Sequence, residues 1–224
     1  MKFETYPDAE LMAMSLANKM AGELENVLVH AERASLVVPG GSTPGPVFDA
    51  LCGADLEWGR VDVFLSDERW RPEIHLRSNA RLIRERLLQG RAAAAVFHPY
   101  YTGAPSPDDT LAEVESMIYP CLPISVLLLG MGADMHTASL FPGAEGLEAA
   151  LSAQTQALLV PIAAAGEPEV RVSLSATVLN GALSKHLMIT GAQKRAALER
   201  AATLPPHKAP VNAILEGTTV HWAP

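Results

Sequence analysis

Apolar and polar positions follow two periods along this chain. The longest uninterrupted apolar run, Ile124 to Leu129, lies near its middle and empties into a glycine-rich turn, in ISVLLLGMGADMHTASLFPG at 124–143. A short apolar run bounded by glycine is the mark of a buried parallel strand. Leu11, Leu16, Met20, Leu24, Val27 and Leu28 recur at helical spacing and predict a helix from Ala9 to about Ala31, capped by Asp8. Further strands are predicted at 35–39 (SLVVP), 61–66 (VDVFLS), 95–100 (AVFHPY), 157–162 (ALLVPI) and 185–191 (KHLMITG), with an edge strand at 218–222 (TTVHW).

Helices fill the intervals. Pro46 to Leu51 reads as first helical turns behind a glycine and proline turn, Ser78 caps a helix through Leu88, and Ser106-Pro107-Asp108-Asp109 opens one whose Leu111, Val114 and Ile118 face inward. AALERAATL after Arg195 is helix-forming, Asn212 to Glu216 predicts a short helix, and Glu167 to Arg171 a polar connection. Strands alternating with helices imply an α/β fold. No repeat or linker interrupts the 224 residues, so 1–224 is expected to be one domain.

Composition narrows the class. With 49% apolar residues the chain can bury a substantial core. Its formal charge of −8, from 17 Lys plus Arg against 25 Asp plus Glu, argues against binding nucleic acid, which needs a basic face. No run reaches the roughly 18 apolar residues of a membrane span, and MKFETYPDAE lacks the apolar segment of a secretory signal, so a cytoplasmic location is expected. Cys52 and Cys121 stand alone in apolar segments and are expected to be reduced core residues.

The candidate chemistry gathers at strand ends. In open α/β sheets, reactions occur in the crevice beyond the carboxyl ends of the strands, and the central run delivers Asp134 and His136 to such a place. After residues 35–39 come Gly40, Gly41, Ser42 and Thr43 and then a helix start. Glycines admit close approach of backbone N–H groups to an anion, the hydroxyls add donors, and the helix start adds unpaired N–H groups. GGSTPG matches neither the P-loop nor the dinucleotide pattern, which disfavours a nucleotide. Asp67-Glu68-Arg69 ends another strand, Lys194 occupies a further strand-to-helix turn, and Arg171 is the cation to watch in its segment. His75 reads as surface and His98 as structural.

Five blocks taken together resemble the 6-phosphogluconolactonases: VVPGGSTPGPVFDAL, LSDERWRP followed by SNARL, LLLGMGADMHTASLFPG, RVSLSATVLNGA and ITGAQKRAALE. They span nearly the whole chain in the family's order. Glucosamine-6-phosphate deaminases share the phosphate turn and the Asp-x-His element; Trp70 and TASLFP at 137–142 favour the lactonase branch. The resemblance implies a doubly wound, Rossmann-like, mostly parallel sheet with helices on both faces. It also implies hydrolysis of 6-phospho-D-glucono-1,5-lactone in the oxidative pentose phosphate pathway, with a phosphorylated sugar lactone as small-molecule partner and neither metal nor organic cofactor.

Carried onto this sequence, the resemblance has Gly40, Gly41, Ser42 and Thr43 bind the phosphate, Arg69 and Lys194 neutralise it, Arg171 add a second phosphate or hydroxyl ligand, and His136 with Asp134 act on the lactone. Asp67 and Glu68 stand beside them as lesser candidates. A deaminase-like enzyme and a non-catalytic sugar-phosphate sensor are the alternatives. The chain departs from the family pattern at three positions. Met135 stands where the family has glycine, Pro39 precedes the paired glycines, and Arg71 replaces a valine. A positive φ at position 135 would strain methionine by about 1 kcal/mol, and its side chain could crowd the pocket.

Overall fold

The computed structural model describes residues 1–224. The strands are β1 (Lys2–Thr5), β2 (Ala34–Val38), β3 (Val61–Leu65), β4 (Asp67–Arg69), β5 (Val96–Phe97), β6 (Val126–Gly130), β7 (Leu159–Ile162), β8 (Arg171–Leu174), β9 (Ser184–Thr190) and β10 (Thr219–Ala223). The α-helices are α1 (Ala9–His30), α2 (Gly45–Leu51), α3 (Asn79–Arg86), α4 (Leu111–Ile118), α5 (Leu147–Leu151), α6 (Ala176–Asn180) and α7 (Gly191–Ala201).

Seven strands form one sheet in the order β1-β10-β9-β6-β2-β3-β5. Every pairing in it is parallel. β2, β3 and the first four residues of β6 are buried throughout, as the unbroken apolar runs of a two-sided parallel sheet require. The chain runs outward from β2 through β3 to β5, then returns to the other side of β2 with β6. A topological switch point therefore lies between β2 and β6, where a crevice opens beyond the strand ends.

The structure departs from the sequence expectations at four places. β10 is not the edge strand, because residues 2–5 pair with it in parallel. The expected polar connection ending at Arg171 gives way to β8 at that residue, and the charged Asp67–Arg69 segment is itself a strand; with β7 these form a separate antiparallel sheet, β4-β8-β7. Leu11, assigned to the inner face of α1, is 45% exposed, and Met12 takes its place in the core. Cys52 and Cys121 are free thiols but only half-buried, at the margin of the core. The caps hold: Leu11 N donates to Asp8 at 2.7 Å, and Arg81 N to Ser78 at 3.2 Å.

One buried polar chain crosses the β1 side of the sheet. Glu23 Oε2 lies 2.7 Å from His186 Nε2, His186 Nδ1 lies 3.0 Å from His221 Nε2, and His221 Nδ1 lies 2.9 Å from the Tyr6 hydroxyl. His186 and His221 are fully buried. Burial, followed by the neighbouring His186, pushes His221 down to about 4 from its ordinary 6.5. The folded ring is thus neutral while the unfolded chain takes up a proton between these values, so stability falls as pH drops through that window. At pH 5 the loss should be about 2 kcal/mol relative to pH 7. Urea unfolding followed between pH 7 and 5 should show this decline, and His221→Gln should flatten it; an unchanged slope in the variant would remove His221 as its source.

Candidate functional site

The turns after β2 and β6 face each other across the switch point. They enclose, with β4, β8 and the start of α7, a cavity of about 220 Å³ lined by Gly40, Gly41, Thr43, Arg69, His136, Arg171 and Lys194 among others. Asp67 also reaches it, whereas Ser42 is exposed and outside the lining, Asp134 stands behind His136, and Glu68 is buried beneath the site.

Glycine is required at three of these positions for different reasons. Gly41 has φ 90°, a left-handed value that side chains resist. At Gly40 a Cβ would fall 1.9 Å from Asn79 Oδ1, and at Gly132 it would fall 2.3 Å from His136 Nδ1 and 2.4 Å from Asp134 Oδ1. The phosphate-type turn and the acid–imidazole turn are therefore both packed backbone-first against functional side chains.

His136 Nδ1 lies 2.6 Å from Asp134 Oδ1. That contact lowers the Asp134 pKa and places the ring proton on Nδ1, leaving Nε2 as the nitrogen with a free lone pair. Phe141 packs against the imidazole at a tilt of 38° with centroids 4.3 Å apart, and Arg171 lies over the same phenyl ring at 4.9 Å. Backbone bonds tie the loop: Gly132 N donates to His136 O and Met135 N to Gly132 O, each at 3.0 Å. These two N–H groups are thereby engaged within the loop and do not point into the cavity as free donors.

Met135 has φ 69°, the strained left-handed conformation anticipated for a residue standing where glycine is usual. Its side chain packs against the hydrophobic core and does not line the cavity, and its carbonyl accepts from Val211 N at 3.1 Å. The expected crowding is thus averted by pointing the thioether inward, and core contacts offset the backbone cost. His136 keeps 29% of its side chain exposed.

The cations are arranged against their own repulsion. In the β4–β8 pairing Arg69 stands directly opposite Arg171. Like charges in such cross-strand pairs are destabilising, so the arrangement calls for an anion. Arg69 Nη1 donates to Arg77 O at 2.7 Å and to Asn79 Oδ1 at 3.0 Å, while Arg171 is held by Glu167. Both Nε atoms are buried without a partner. Burial and then Arg171 push the Arg69 pKa down, and burial alone does the same to Lys194 in the first turn of α7. Each of these groups is more comfortable with a negative charge in the cavity. Arg71, with no role in the sequence reading, lies 3.8 Å from the buried Glu169 carboxylate.

Glu68 supports the site from below. It accepts from Arg69 N, Asn79 N, Ala80 N and Ser78 Oγ at 2.7–3.1 Å, satisfying first-turn donors of α3 and fixing Asn79, which in turn holds Arg69. Burial raises its pKa, opposed by these four donors. Asp67 takes hydroxyls from Ser66 at 2.8 Å and Ser139 at 2.6 Å. Asn79 and Phe141 carry no signal of their own in the sequence, although each lies within a block that carried the resemblance, SNARL or TASLFP.

Comparison with known proteins bears on the family and the fold. A family profile described as glucosamine-6-phosphate isomerases/6-phosphogluconolactonase matches residues 7–222. The chain is 40% identical over 224 residues to the 6-phosphogluconolactonase of Pseudomonas aeruginosa, covering 99% of this chain and 94% of that one. It is 36% identical over 229 residues to the enzyme of the same name from Mesorhizobium japonicum, covering 99% and 95%. The crystal structure of a 6-phosphogluconolactonase from Shewanella baltica superposes with a TM-score of 0.96 at 32% identity, over 100% of this chain and 98% of that one. With profile, full-length relatives and fold in agreement, this chain belongs to the glucosamine-6-phosphate isomerase/6-phosphogluconolactonase family.

Proposed function

We propose that this protein is a 6-phosphogluconolactonase, a carboxylic ester hydrolase that opens 6-phospho-D-glucono-1,5-lactone to 6-phospho-D-gluconate in the oxidative pentose phosphate pathway, and that residues 1–224 act as one sugar-phosphate hydrolase domain. The observation that carries the site assignment is that His136, backed by Asp134, and the glycine turn with its cations line one cavity. A phosphate seated on the Gly40–Thr43 turn, among Arg69, Arg171 and Lys194, directs the rest of a small sugar toward His136.

His136 Nε2 takes a proton from water as its oxygen attacks the lactone carbonyl. Asp134 stabilises the imidazolium that forms. Collapse of the tetrahedral intermediate breaks the bond to the ring oxygen, which receives the proton from the same imidazolium. One side chain thereby serves as base and then acid, and the product is a carboxylic acid with a free hydroxyl, the acid then releasing its proton to solvent. No helix is long and apolar enough to cross a membrane. A cytoplasmic location fits this metabolic role.

The test is opening of freshly generated lactone by purified protein, measured above the spontaneous rate. Ammonia release from glucosamine 6-phosphate without lactone opening would support the deaminase reading instead. Lys194→Ala and Arg69→Ala should each raise KM by about 10–100-fold, the worth of a hydrogen bond to a charged group, with a smaller effect on kcat. Steady-state kinetics decide this, and an unchanged KM in both variants would move the phosphate elsewhere.

A further inference from the structure

At the opposite, amino-terminal end of the parallel sheet lies a second cavity of about 370 Å³. Asp62 of β3, His98 just past β5 and Cys121 in the turn after α4 converge on it, their donor atoms all within 4.8 Å of one another. Asp62 is buried, and His98 and Cys121 are partly so. None of the three belongs to the catalytic apparatus, and the inference below is independent of the proposed reaction.

We infer that Asp62, His98 and Cys121 form a binding site for a borderline-soft divalent cation of the zinc class, with the cavity supplying a fourth, water-filled position.

The donor set suits such an ion. Carboxylate, imidazole and thiolate are its three common protein ligands, and three ligands with one open position is a recurrent arrangement. Around a tetrahedral zinc, with bonds of about 2.0 Å to nitrogen or oxygen and about 2.3 Å to sulfur, neighbouring donors stand about 3.3–3.5 Å apart. His98 Nε2 lies 2.8 Å from Asp62 Oδ1 and 3.9 Å from Cys121 Sγ. Both separations are about half an ångström from that spacing, a shift that side-chain torsions can absorb.

The surroundings also fit a metal carboxylate. Arg33 holds Asp62 in a fork, with Nε 2.6 Å from Oδ2 and Nη2 3.0 Å from Oδ1, which is the outer hydrogen bonding that orients a ligating carboxylate. Asp62 Oδ1, which now meets both His98 and Arg33 Nη2, is the oxygen a metal would take in place of the His98 contact, while Oδ2 stays with Arg33 Nε. A thiol, which titrates ordinarily near about 8.5, must lose its proton to ligate, so binding expels one proton from sulfur and affinity should rise with pH.

The probe is cadmium, whose thiolate charge-transfer absorbance reports sulfur ligation directly. Metal-free full-length protein should take up one Cd²⁺ with appearance of this band and release of one proton. Cys121→Ser should abolish the band, and His98→Gln should weaken binding by at least about tenfold, the loss typical even of an outer-shell change. Cys52→Ser should leave the titration unaltered. A cooperative thermal transition in each variant establishes that it is folded, and Zn²⁺ should raise the wild-type transition but not that of Cys121→Ser. Absence of a saturable band, its survival in Cys121→Ser, its loss in Cys52→Ser, or indifference to His98→Gln would each overturn the assignment.

Discussion

Replacing His136 with alanine is expected to lower kcat for lactone opening by about 10²–10⁴, the range that a positioned general base contributes. KM should change little, because the phosphate contacts proposed for the Gly40–Thr43 turn and the cations do not involve the imidazole. The fold should survive, since the ring is partly exposed and its partners are the neighbouring Asp134 and Phe141. Lactone opening is spontaneous in water, so the measurement is the enzyme-dependent rate after subtraction of the uncatalysed one. Asp134→Asn supplies the companion test. Its side-chain amide can still touch Nδ1, but it has lost the charge that stabilises an imidazolium, so kcat should fall while KM stays near the wild-type value. If His136→Ala retained most of the rate, water activation by this residue would be wrong, whatever the family membership.

The second large effect is expected from a residue with no side chain to offer a substrate. A Cβ at position 132 would fall 2.3 Å from His136 Cε1 and Nδ1 and 2.4 Å from Asp134 Oδ1, closer than real atoms stand. The obstructing groups are side-chain ends and not backbone, so Gly132→Ala can fold by swinging the ring and carboxylate aside. A displacement of about 1 Å in a reacting group can cost about 10²-fold in rate. Gly132→Ala should therefore show a kcat reduced by about 10²-fold with a nearly normal melting temperature and KM. Gly40→Ala offers a contrast at the other turn. There the clash is with Asn79, the residue that holds Arg69, so its damage should fall on KM. A Gly132→Ala enzyme with full activity would mean that the observed loop is not the working one.

Where the sequence reading succeeded, local chemistry and tertiary placement coincided. The Ile124–Leu129 run, the Asp8 and Ser78 caps and the glycine turn after residues 35–39 carry their own signals, and β6, α1, α3 and the cavity wall lie where those signals put them. Arg69 and Lys194 were marked by their places at strand ends and Arg171 as the cation of its segment, the family-like blocks supplied their expected roles, and all three reach the cavity. β4 was missed because Asp67-Glu68-Arg69 has neither apolar alternation nor β-branched residues; its strand pairing is imposed by β8, and its inward charges are satisfied by Ser139, Asn79 and the start of α3. β1 was missed for a related reason. KFET is too short to declare itself, and its edge position depends on pairing with a strand more than 200 residues away. Met135 was recognised as anomalous, but which way its side chain turned was a property of the core and not of the loop.

The facing arginines of β4 and β8 bear on how this protein can change over generations. On the present reading they hold the resting molecule away from the most stable structure its backbone allows, since exchanging either for a neutral residue would relieve a repulsion that exists only while no anion is bound. Selection for heat resistance would find that exchange easily and forfeit substrate capture by making it. Hardier descendants of this chain should therefore gain their stability elsewhere, and keep the pair.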